Sequence, residues 1–174
     1  MIPFTLYKFI AEGHQVQLVL PEVWQADELF NRLQENLAEF SKWLVWAKSI
    51  DSVKKEVNSI KTFQQKMVDG IAFNLVILVD GVPAGMLDLH EMNKKSGEVG
   101  YWLAKSYQHF GIMTKSVNFL IEYAFSQLKL EYLILRTAPD NFASQSVAKR
   151  CGFSYVEIDE NNHKVFKLEK ELHK

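Results

Sequence analysis

The order of sequence patterns in this chain predicts a mixed α/β fold, in which helices cover a central, mostly antiparallel sheet. Two observations support this prediction. Three strand-like runs follow one another between Phe73 and Ala104 with short polar turns between them, which is typical of an antiparallel meander. The third run then passes through a loop ending in Gly111 into an apolar helix, and another strand pattern follows that helix. One strand–helix–strand crossover is therefore expected at the centre of the sheet.

Composition favours a soluble globular protein with a single domain over residues 1–174. Apolar residues make up 48% of the chain, charged residues make up 24%, and the formal net charge is −1. A global field that attracts nucleic acid or a membrane surface is therefore not expected. Cys151 is the only cysteine, which excludes an internal disulfide and a cysteine-based metal cluster. No run approaches the roughly 20 apolar residues of a membrane span, and the start does not resemble a signal peptide, so a cytoplasmic location is expected.

The first part of the chain combines one strand with helices. Val16–Leu20 is predicted as the first strand, and Pro21 suits the first turn of the helix that follows. Asn36–Ala47 is rich in aromatic residues, among them Trp43 and Trp46. Two tryptophans this close form either a core wedge or the wall of a pocket, and packing in a core is the commoner use of large aromatic side chains.

Cap and turn signals define the remaining elements. A helix capped by Asp51 or Ser52 ends at Gly70, and Asp80-Gly81 is a strong hairpin signal. The predicted elements are strands Phe73–Val79, Val82–His90 and Val99–Ala104, helix Ile112–Lys129, strand Tyr132–Arg136, helix Ala143–Arg150 and strands Phe153–Ile158 and Val165–Leu168, with polar turns at Asn93–Gly97 and Asp159–Asn162.

The stretch Glu98–Thr114 has an arrangement that directs free backbone N–H groups toward an anion. A strand enters a loop, Gly111 ends the loop, and a helix begins at once at Ile112. A single glycine before a helix also occurs in simple tight turns, so this feature alone leaves both interpretations open. The P-loop pattern and the dinucleotide glycine fingerprint are both absent from the stretch.

Two blocks of residues resemble the GNAT acetyltransferases. Gln108-His109-Phe110-Gly111-Ile112-Met113 resembles the acyl-CoA loop of that family, Gln/Arg-x-x-Gly-x-Gly/Ala, with Met113 at the last small position. Gly100–Leu103 before the loop and Thr114 after it are similar to the RimJ/RimL branch, which acetylates protein N-termini. Asn141 to Phe153 resembles the Asn-x-x-Ser…Lys-x-Gly-Phe segment of the family. The two blocks occur in the family's order.

The resemblance implies the GNAT fold, with two splayed middle strands, and acetyl-CoA as cosubstrate without a metal. The CoA pyrophosphate would rest on backbone N–H groups from His109 to Met113, while backbone near Leu103 would hold the pantetheine and polarise the acetyl carbonyl. The implied cofactor-binding residues are Leu103, Gln108, His109, Phe110, Gly111, Ile112, Met113, Thr114 and Asn141. Surface or packing roles, rather than metal binding, are expected for His14, His90, His109, His163 and His173.

Ser144 is the implied general acid. Many GNAT enzymes use a tyrosine at the position that Ala148 occupies here, whereas RimL-type enzymes place a serine earlier in the helix, which corresponds to Ser144. Asn141 would then orient the cofactor or a water molecule. The alternative is that Ser144 only caps the helix.

The general base is less clearly specified by the sequence. A carboxylate that some relatives carry before the asparagine turn is replaced by Arg136, and the final hairpin is too short for a trusted match. Glu98, Glu91 and Asp88 remain candidates, and Glu98 is preferred because strand alternation places it on the face of Gly100. Glu98 is equally compatible with a solvated strand end.

The acceptor is expected to be a primary amine that attacks acetyl-CoA directly. The leading hypothesis is a protein N-terminal α-amine of the ribosomal-protein-serine type, bound near Trp43, Trp46 and the final hairpin. A small amine, such as a polyamine, an amino sugar or a peptide-like metabolite, is the second hypothesis. A non-catalytic acyl-CoA-binding module is the third. A homodimer is compatible with each of them.

Overall fold

A computed structural model describes residues 2–170 of the chain. The strands in this range are β1 (Thr5–Ala11), β2 (His14–Val19), β3 (Phe73–Val79), β4 (Val82–His90), β5 (Ser96–Leu103), β6 (Tyr132–Thr137), β7 (Ser154–Ile158) and β8 (Lys164–Glu169). The helices are α1 (Ala26–Glu35), α2 (Leu37–Phe40), α3 (Val53–Val68), α4 (Ile112–Ser126) and α5 (Phe142–Arg150), with 3-10 turns at Val23–Gln25, Ala47–Ser49 and Lys105–Tyr107.

The strands form one sheet in the spatial order β1-β2-β3-β4-β5-β6-β8-β7. Neighbouring strands are antiparallel except β5 and β6, which run parallel. Helix α4 joins this parallel pair, as the predicted crossover requires. The predicted mixed, mostly antiparallel sheet is confirmed.

Helices pack on both faces of the sheet and bury two apolar clusters. One cluster joins α4 and α5 to the sheet, and it contains the predicted apolar face of α4, from Ile112 to Phe125. The other cluster joins α1 and the 3-10 turn at Ala47 to the opposite face through Val76, Met86 and Trp102. Every residue of β3 is buried, as expected for a strand covered on both faces.

Strands β5 and β6 separate soon after they meet. Their register contains three pairs, Ser96 with Tyr132, Gly97 with Leu133 and Glu98 with Ile134. Beyond Glu98, β5 stays paired with β4 as far as Leu103, while β6 stays paired with β8 as far as Thr137. A wedge-shaped gap therefore opens toward the carboxyl ends of both strands. This is the splay that the family resemblance predicts.

The prediction missed the first strand of the sheet. The strand expected at Val16–Leu20 spans His14–Val19 instead, and it pairs with β1 through a tight turn at Glu12-Gly13. Both turn residues have positive φ, 47° and 92°, which matches the twist of a two-residue hairpin. The Gly-containing turn between two apolar runs is the sequence signal for this hairpin.

Two helices and one turn have bounds that differ from the prediction, and the aromatic stretch Asn36–Ala47 is mostly non-helical. The helix expected to start at Pro21 begins with a 3-10 turn, and α1 starts at Ala26. Asn36–Ala47 contains only the single turn of α2. The helix expected to reach Lys129 ends at Ser126, because Lys129 adopts a φ of 60° and Leu130 N–H donates back to the Ala124 carbonyl. The turn expected at Asn93–Gly97 is shorter, since β5 already begins at Ser96.

Glu56, in α3, gives the stability of the fold a pH dependence. The residue is 4% exposed, and burial raises the pKa of its carboxyl from 4.5 to about 7. The folded state therefore holds this proton more tightly than the unfolded chain does. The free energy of unfolding should fall as pH rises from 4.5 to about 7 and should level off above that range.

Glu56→Gln should remove this dependence. At pH 8 the variant is expected to unfold with a free energy on the order of 2 kcal/mol above wild type, and at pH 4 the two should be similar. Urea unfolding at both pH values measures the difference. Glu122→Gln, at an exposed site of α4, is the control and should change little at either pH. Equal stability of Glu56→Gln and wild type at pH 8 would contradict this explanation.

Candidate active site at the splayed strands

Two cavities open at the gap between β5 and β6. The loop-side cavity, of about 600 Å³, is lined by the end of β5, the loop before α4, the first turn of α4 and one face of α5. The hairpin-side cavity, of about 920 Å³, is lined by β6, the β7–β8 turn and the segment that follows α2. The residues that line both cavities are Trp43, Leu44, Tyr101, Asn141 and Ser144. Molecules that occupy the two cavities would therefore meet at these five residues.

The loop before α4 presents backbone N–H groups to the loop-side cavity. Gly111 caps the helix with a left-handed φ of 74°, and the first backbone bond of the helix runs from Lys115 N–H to the Gly111 carbonyl at 3.1 Å. By helix geometry, the N–H groups of Ile112, Met113 and Thr114 have no acceptor within the helix. All three residues line the cavity, so these donors and the positive end of the helix dipole form an anion site.

The predicted cofactor residues cluster here, with one exception. The cavity lining includes Leu103, Gln108, His109, Gly111, Ile112, Met113, Thr114 and Asn141. The ring of Phe110 packs edge-on against His14 instead, with the centroids 4.9 Å apart. The side chain of Phe110 thus fixes the outer side of the loop.

Arg150 adds a cation that the prediction did not assign to the site. Its Nε donates to Thr114 Oγ1 at 3.1 Å, and the residue lines the loop-side cavity. In the sequence, the basic pair Lys149-Arg150 at the end of α5 indicates a positive charge there. The direction in which the Arg150 side chain points depends on how α5 packs against α4.

Backbone groups of β5 face the gap at every second residue. Ala104 N–H donates to the carbonyl of Ala84 in β4 at 2.8 Å. Because backbone groups of successive strand residues point to opposite edges, the N–H and C=O of Leu103 point away from β4, into the gap. In agreement, the Leu103 carbonyl accepts a hydrogen bond from Gln108 Nε2 at 2.9 Å. The Leu103 N–H is thus placed to bind an extended molecule lying in the gap.

Ser144 and Tyr101 form a hydroxyl pair where the cavities meet. Tyr101 Oη lies 2.8 Å from Ser144 Oγ, where either hydroxyl can donate, and it lies 3.3 Å from the Ser144 carbonyl, which can accept the phenol proton instead. Asn141 Oδ1 accepts from Ser144 N–H at 3.1 Å and so caps α5, which fixes Ser144 at the start of the helix. The structure therefore assigns the cap to Asn141 and not to Ser144, which leaves the serine hydroxyl free to face the site.

Tyr101 was missed as a functional residue. In β5, Val99 and Leu103 face the core beneath α4 and α5, whereas Trp102 faces the opposite core. Period-two alternation thus turns Tyr101 toward α5, and this signal was available in the sequence. Burial raises the pKa of the Tyr101 phenol to about 12, so the hydroxyl stays protonated at neutral pH.

Ala148 is fully buried. It lines neither cavity, so this position contributes no polar group to the site.

Glu98 lies in a charge network at the floor of the hairpin-side cavity. Its side chain is 15% exposed, it pairs with Arg136, and one oxygen lies 3.7 Å from His90 Nε2. Arg136 also contacts Asp159 Oδ2 at 3.3 Å, which links β6 to the β7–β8 turn. Because cations already engage this carboxylate, its role as general base stays a prediction.

His90 carries a positive charge within this network. Its Nδ1 lies 3.1 Å from Asp88 Oδ1, and the bonds to Asp88 and Glu98 raise the pKa of His90 to about 10. A β-carbon at Gly100 would lie 2.4 Å from Asp88 Oδ1, so a larger residue there would displace the Asp88 side chain from this position. Protonated His90 is therefore not a proton acceptor at neutral pH.

Most of the charged groups around the hairpin-side cavity are acidic. Glu91, one of the alternative base candidates, is among them, whereas the other alternative, Asp88, is engaged by His90. The carboxylates that line this cavity are Glu91, Glu98, Glu157, Asp159 and Glu160, against the cations Lys42, Arg136 and protonated His90. Such a lining favours a cationic or amine-bearing molecule over an anionic one.

The two tryptophans proposed for the acceptor site lie in different places. Trp43 lines both cavities. Trp46 is 43% exposed, and its carbonyl accepts from Ser49 Oγ in the 3-10 turn. Trp43 therefore forms a wall of the site, whereas Trp46 lies on the surface of the same segment.

Two kinds of feature are absent from the described part of the chain. Residues 2–170 contain no group of three or more His, Cys, Asp or Glu side chains arranged to hold a metal. His173 lies outside these residues. Within the same range, no helix has the length and apolar character needed to cross a membrane.

Comparison with known proteins identifies the family. A model of the acetyltransferase (GNAT) domain matches residues 17–154. The chain belongs to this family. The protein named "Putative ribosomal N-acetyltransferase YdaF" from Bacillus subtilis is 30% identical over 146 residues, which cover 81% of this chain and 79% of that protein. The ribosomal-protein-serine acetyltransferase of Escherichia coli is 27% identical over 123 residues, which cover 70% of this chain and 65% of that enzyme.

A solved structure shares the same fold. The Microcin C7 self-immunity acetyltransferase MccE, in complex with acetyl-CoA and AMP, superimposes with a TM-score of 0.81 at 25% identity, covering 88% of this chain and 92% of that one. The predicted GNAT fold and acetyltransferase class are thus confirmed, with ribosomal-protein acetyltransferases among the relatives.

The charge on His90 can be measured directly. Asp88→Asn removes the largest cause of the raised pKa, so His90 should titrate well below its wild-type value of about 10 and closer to 6.5. An NMR titration of the imidazole resonances measures both values, with His163 as an internal control in the same spectra. A wild-type His90 that already titrates near 6.5 would contradict the network.

Proposed function

We propose that the protein transfers the acetyl group of acetyl-CoA to the α-amine of a protein N-terminus, of the ribosomal-protein-serine type. The observation that carries the proposal is the meeting of two cavities at Ser144 and Tyr101, one with an anion site and one with an acidic wall. The names of the ribosomal-protein relatives support this choice of acceptor.

The loop-side cavity suits the donor. A CoA pyrophosphate requires several donors in one direction, and the first turn of α4 supplies them next to the Arg150 guanidinium. The gap between β5 and β6 accommodates an extended arm beside the Leu103 N–H. The acyl end of such a molecule would then lie near Ser144, at the boundary with the second cavity.

The hairpin-side cavity suits the acceptor. It is larger than the loop-side cavity, and its acidic lining favours an N-terminal ammonium group. Trp43 would pack against the first residues of the substrate, and Ser144 would protonate the departing thiolate. In this arrangement the bound ammonium group first loses a proton to solvent, and the neutral amine then attacks the acetyl carbonyl directly, without an acetylated enzyme residue.

A small amine, such as a polyamine, an amino sugar or a peptide-like metabolite, is the second candidate. The likeness to the Microcin C7 self-immunity acetyltransferase favours it, because that structure holds a small molecule, AMP, together with acetyl-CoA. Both candidates use the same donor cavity and the same hydroxyl pair, and they differ in what fills the hairpin-side cavity.

The proposed function includes three expectations from the sequence, which concern the number of domains, the location and the oligomeric state. A single domain over residues 1–174 and a cytoplasmic location are compatible with a ribosomal-protein substrate. The homodimer also stays a prediction.

The acceptor class can be determined with a substrate panel. Purified protein and acetyl-CoA are incubated with Ser-starting peptides, the same peptides with blocked N-termini, polyamines and amino sugars, and release of the CoA thiol is followed. We expect turnover of the free peptides alone. Turnover of small amines without turnover of peptides would refute the N-terminal assignment and favour the second candidate.

Gly111→Val should weaken CoA binding. Gly111 lines the loop-side cavity and its β-carbon position is open, so a side chain there would project into the space proposed for the phosphate, and the left-handed φ of 74° adds strain. We expect the dissociation constant for CoA, measured by calorimetry, to rise at least about tenfold.

Gly70→Val is the matched control for this variant. Gly70 has a similar φ of 70° and open surroundings, but it lies after α3 and lines neither cavity. It should cost similar stability and leave CoA affinity unchanged. Equal CoA affinity of Gly111→Val and wild type would exclude the loop as the phosphate site.

A further inference from the structure

The reaction must move one proton from nitrogen to sulfur. The attacking amine has one N–H too many after the C–N bond forms, and the CoA thiolate lacks a proton after the C–S bond breaks. This requirement follows from the proposed function for any primary amine, whichever acceptor class is correct. Side chains that take the proton from nitrogen and deliver a proton to sulfur must contact both the acceptor and the donor.

Few side chains meet that condition. Of the residues lining both cavities, Trp43, Leu44 and Asn141 carry no group that readily exchanges a proton, which leaves the hydroxyls of Tyr101 and Ser144. Glu98 lines the hairpin-side cavity but is engaged by Arg136, and protonated His90 is already a cation.

The two hydroxyls are arranged to act in series. Their oxygens are 2.8 Å apart, which is normal for an O–H···O bond, and a hydroxyl can donate one proton while it accepts another. The cap from Asn141 holds Ser144, and the paired strand β5 holds Tyr101. The pair is therefore fixed before either substrate binds.

We propose that Tyr101 and Ser144 form a proton relay that carries the amine's own proton to the sulfur of CoA. As the nitrogen lone pair bonds to the acetyl carbon and the C–S electron pair moves to sulfur, the nitrogen gives a proton to Tyr101 Oη. Tyr101 gives its proton to Ser144 Oγ, and Ser144 gives its proton to sulfur. Each hydroxyl ends as it began, and the products are an acetamide and a free thiol. The high pKa of the phenol means that these transfers occur together rather than through a free phenolate.

Tyr101→Phe and Ser144→Ala test the relay, alone and combined. Each single variant should lower kcat by about 100-fold while the dissociation constant for CoA stays within about threefold of wild type. The double variant should be no slower than the slower single variant, because either change breaks the same chain. Tyr123→Phe, a partly buried tyrosine of α4 that lines neither cavity, is the control and should keep the wild-type rate.

The assay uses the amine that wild type acetylates fastest, so the relay is tested independently of the acceptor class. Full activity of Tyr101→Phe, or losses that multiply in the double variant, would overturn the relay alone. A wild-type protein that acetylates no amine would overturn the proposed function and the relay together.

Discussion

The early separation of β5 and β6 is the constraint on which the rest of the site depends. Three residue pairs hold the parallel strands together at one end, after which each strand keeps only its outer neighbour. A sheet that breaks in this way leaves strand backbone unpaired, and unpaired backbone in a protein interior requires a partner. In the proposed function the acyl donor would supply that partner, so the gap in the sheet would be the binding site.

The two sides of the gap present different chemical groups: mainly backbone N–H groups on the loop side and mainly charged side chains on the hairpin side. On the loop side, the donors are backbone N–H groups whose positions follow from the start of α4, and Arg150 adds one charge. On the hairpin side, the lining consists mainly of long charged side chains, held by the contacts of Arg136 with Glu98 and Asp159. Backbone geometry changes little when side chains are substituted, so the donor side is the more constrained. The acceptor side can change with a few substitutions in the β7–β8 turn.

The sequence predicted the features that depend on local patterns. The meander, α4 with its apolar face and the glycine loop all follow from periodicity and turn signals within about 20 residues. The sequence did not predict contacts between distant segments. Tyr101 and Ser144 are 43 positions apart, and their bond depends on how α5 packs against β5. The same applies to the Glu98–Arg136 pair, which is 38 positions apart and changes the interpretation of Glu98 as a base. β1 differs from these contacts, because its hairpin with β2 is local and is signalled by Gly13.

The most direct test of the account is a crystal structure with CoA and a Ser-starting peptide bound together. The account predicts the pyrophosphate on the N–H groups of Ile112–Thr114, the pantetheine between β5 and β6, and the sulfur within about 4 Å of Ser144 Oγ. The peptide amine should lie in the hairpin-side cavity next to Tyr101 Oη. A complex with CoA bound outside the β5–β6 gap, or with the sulfur distant from both hydroxyls, would contradict the account.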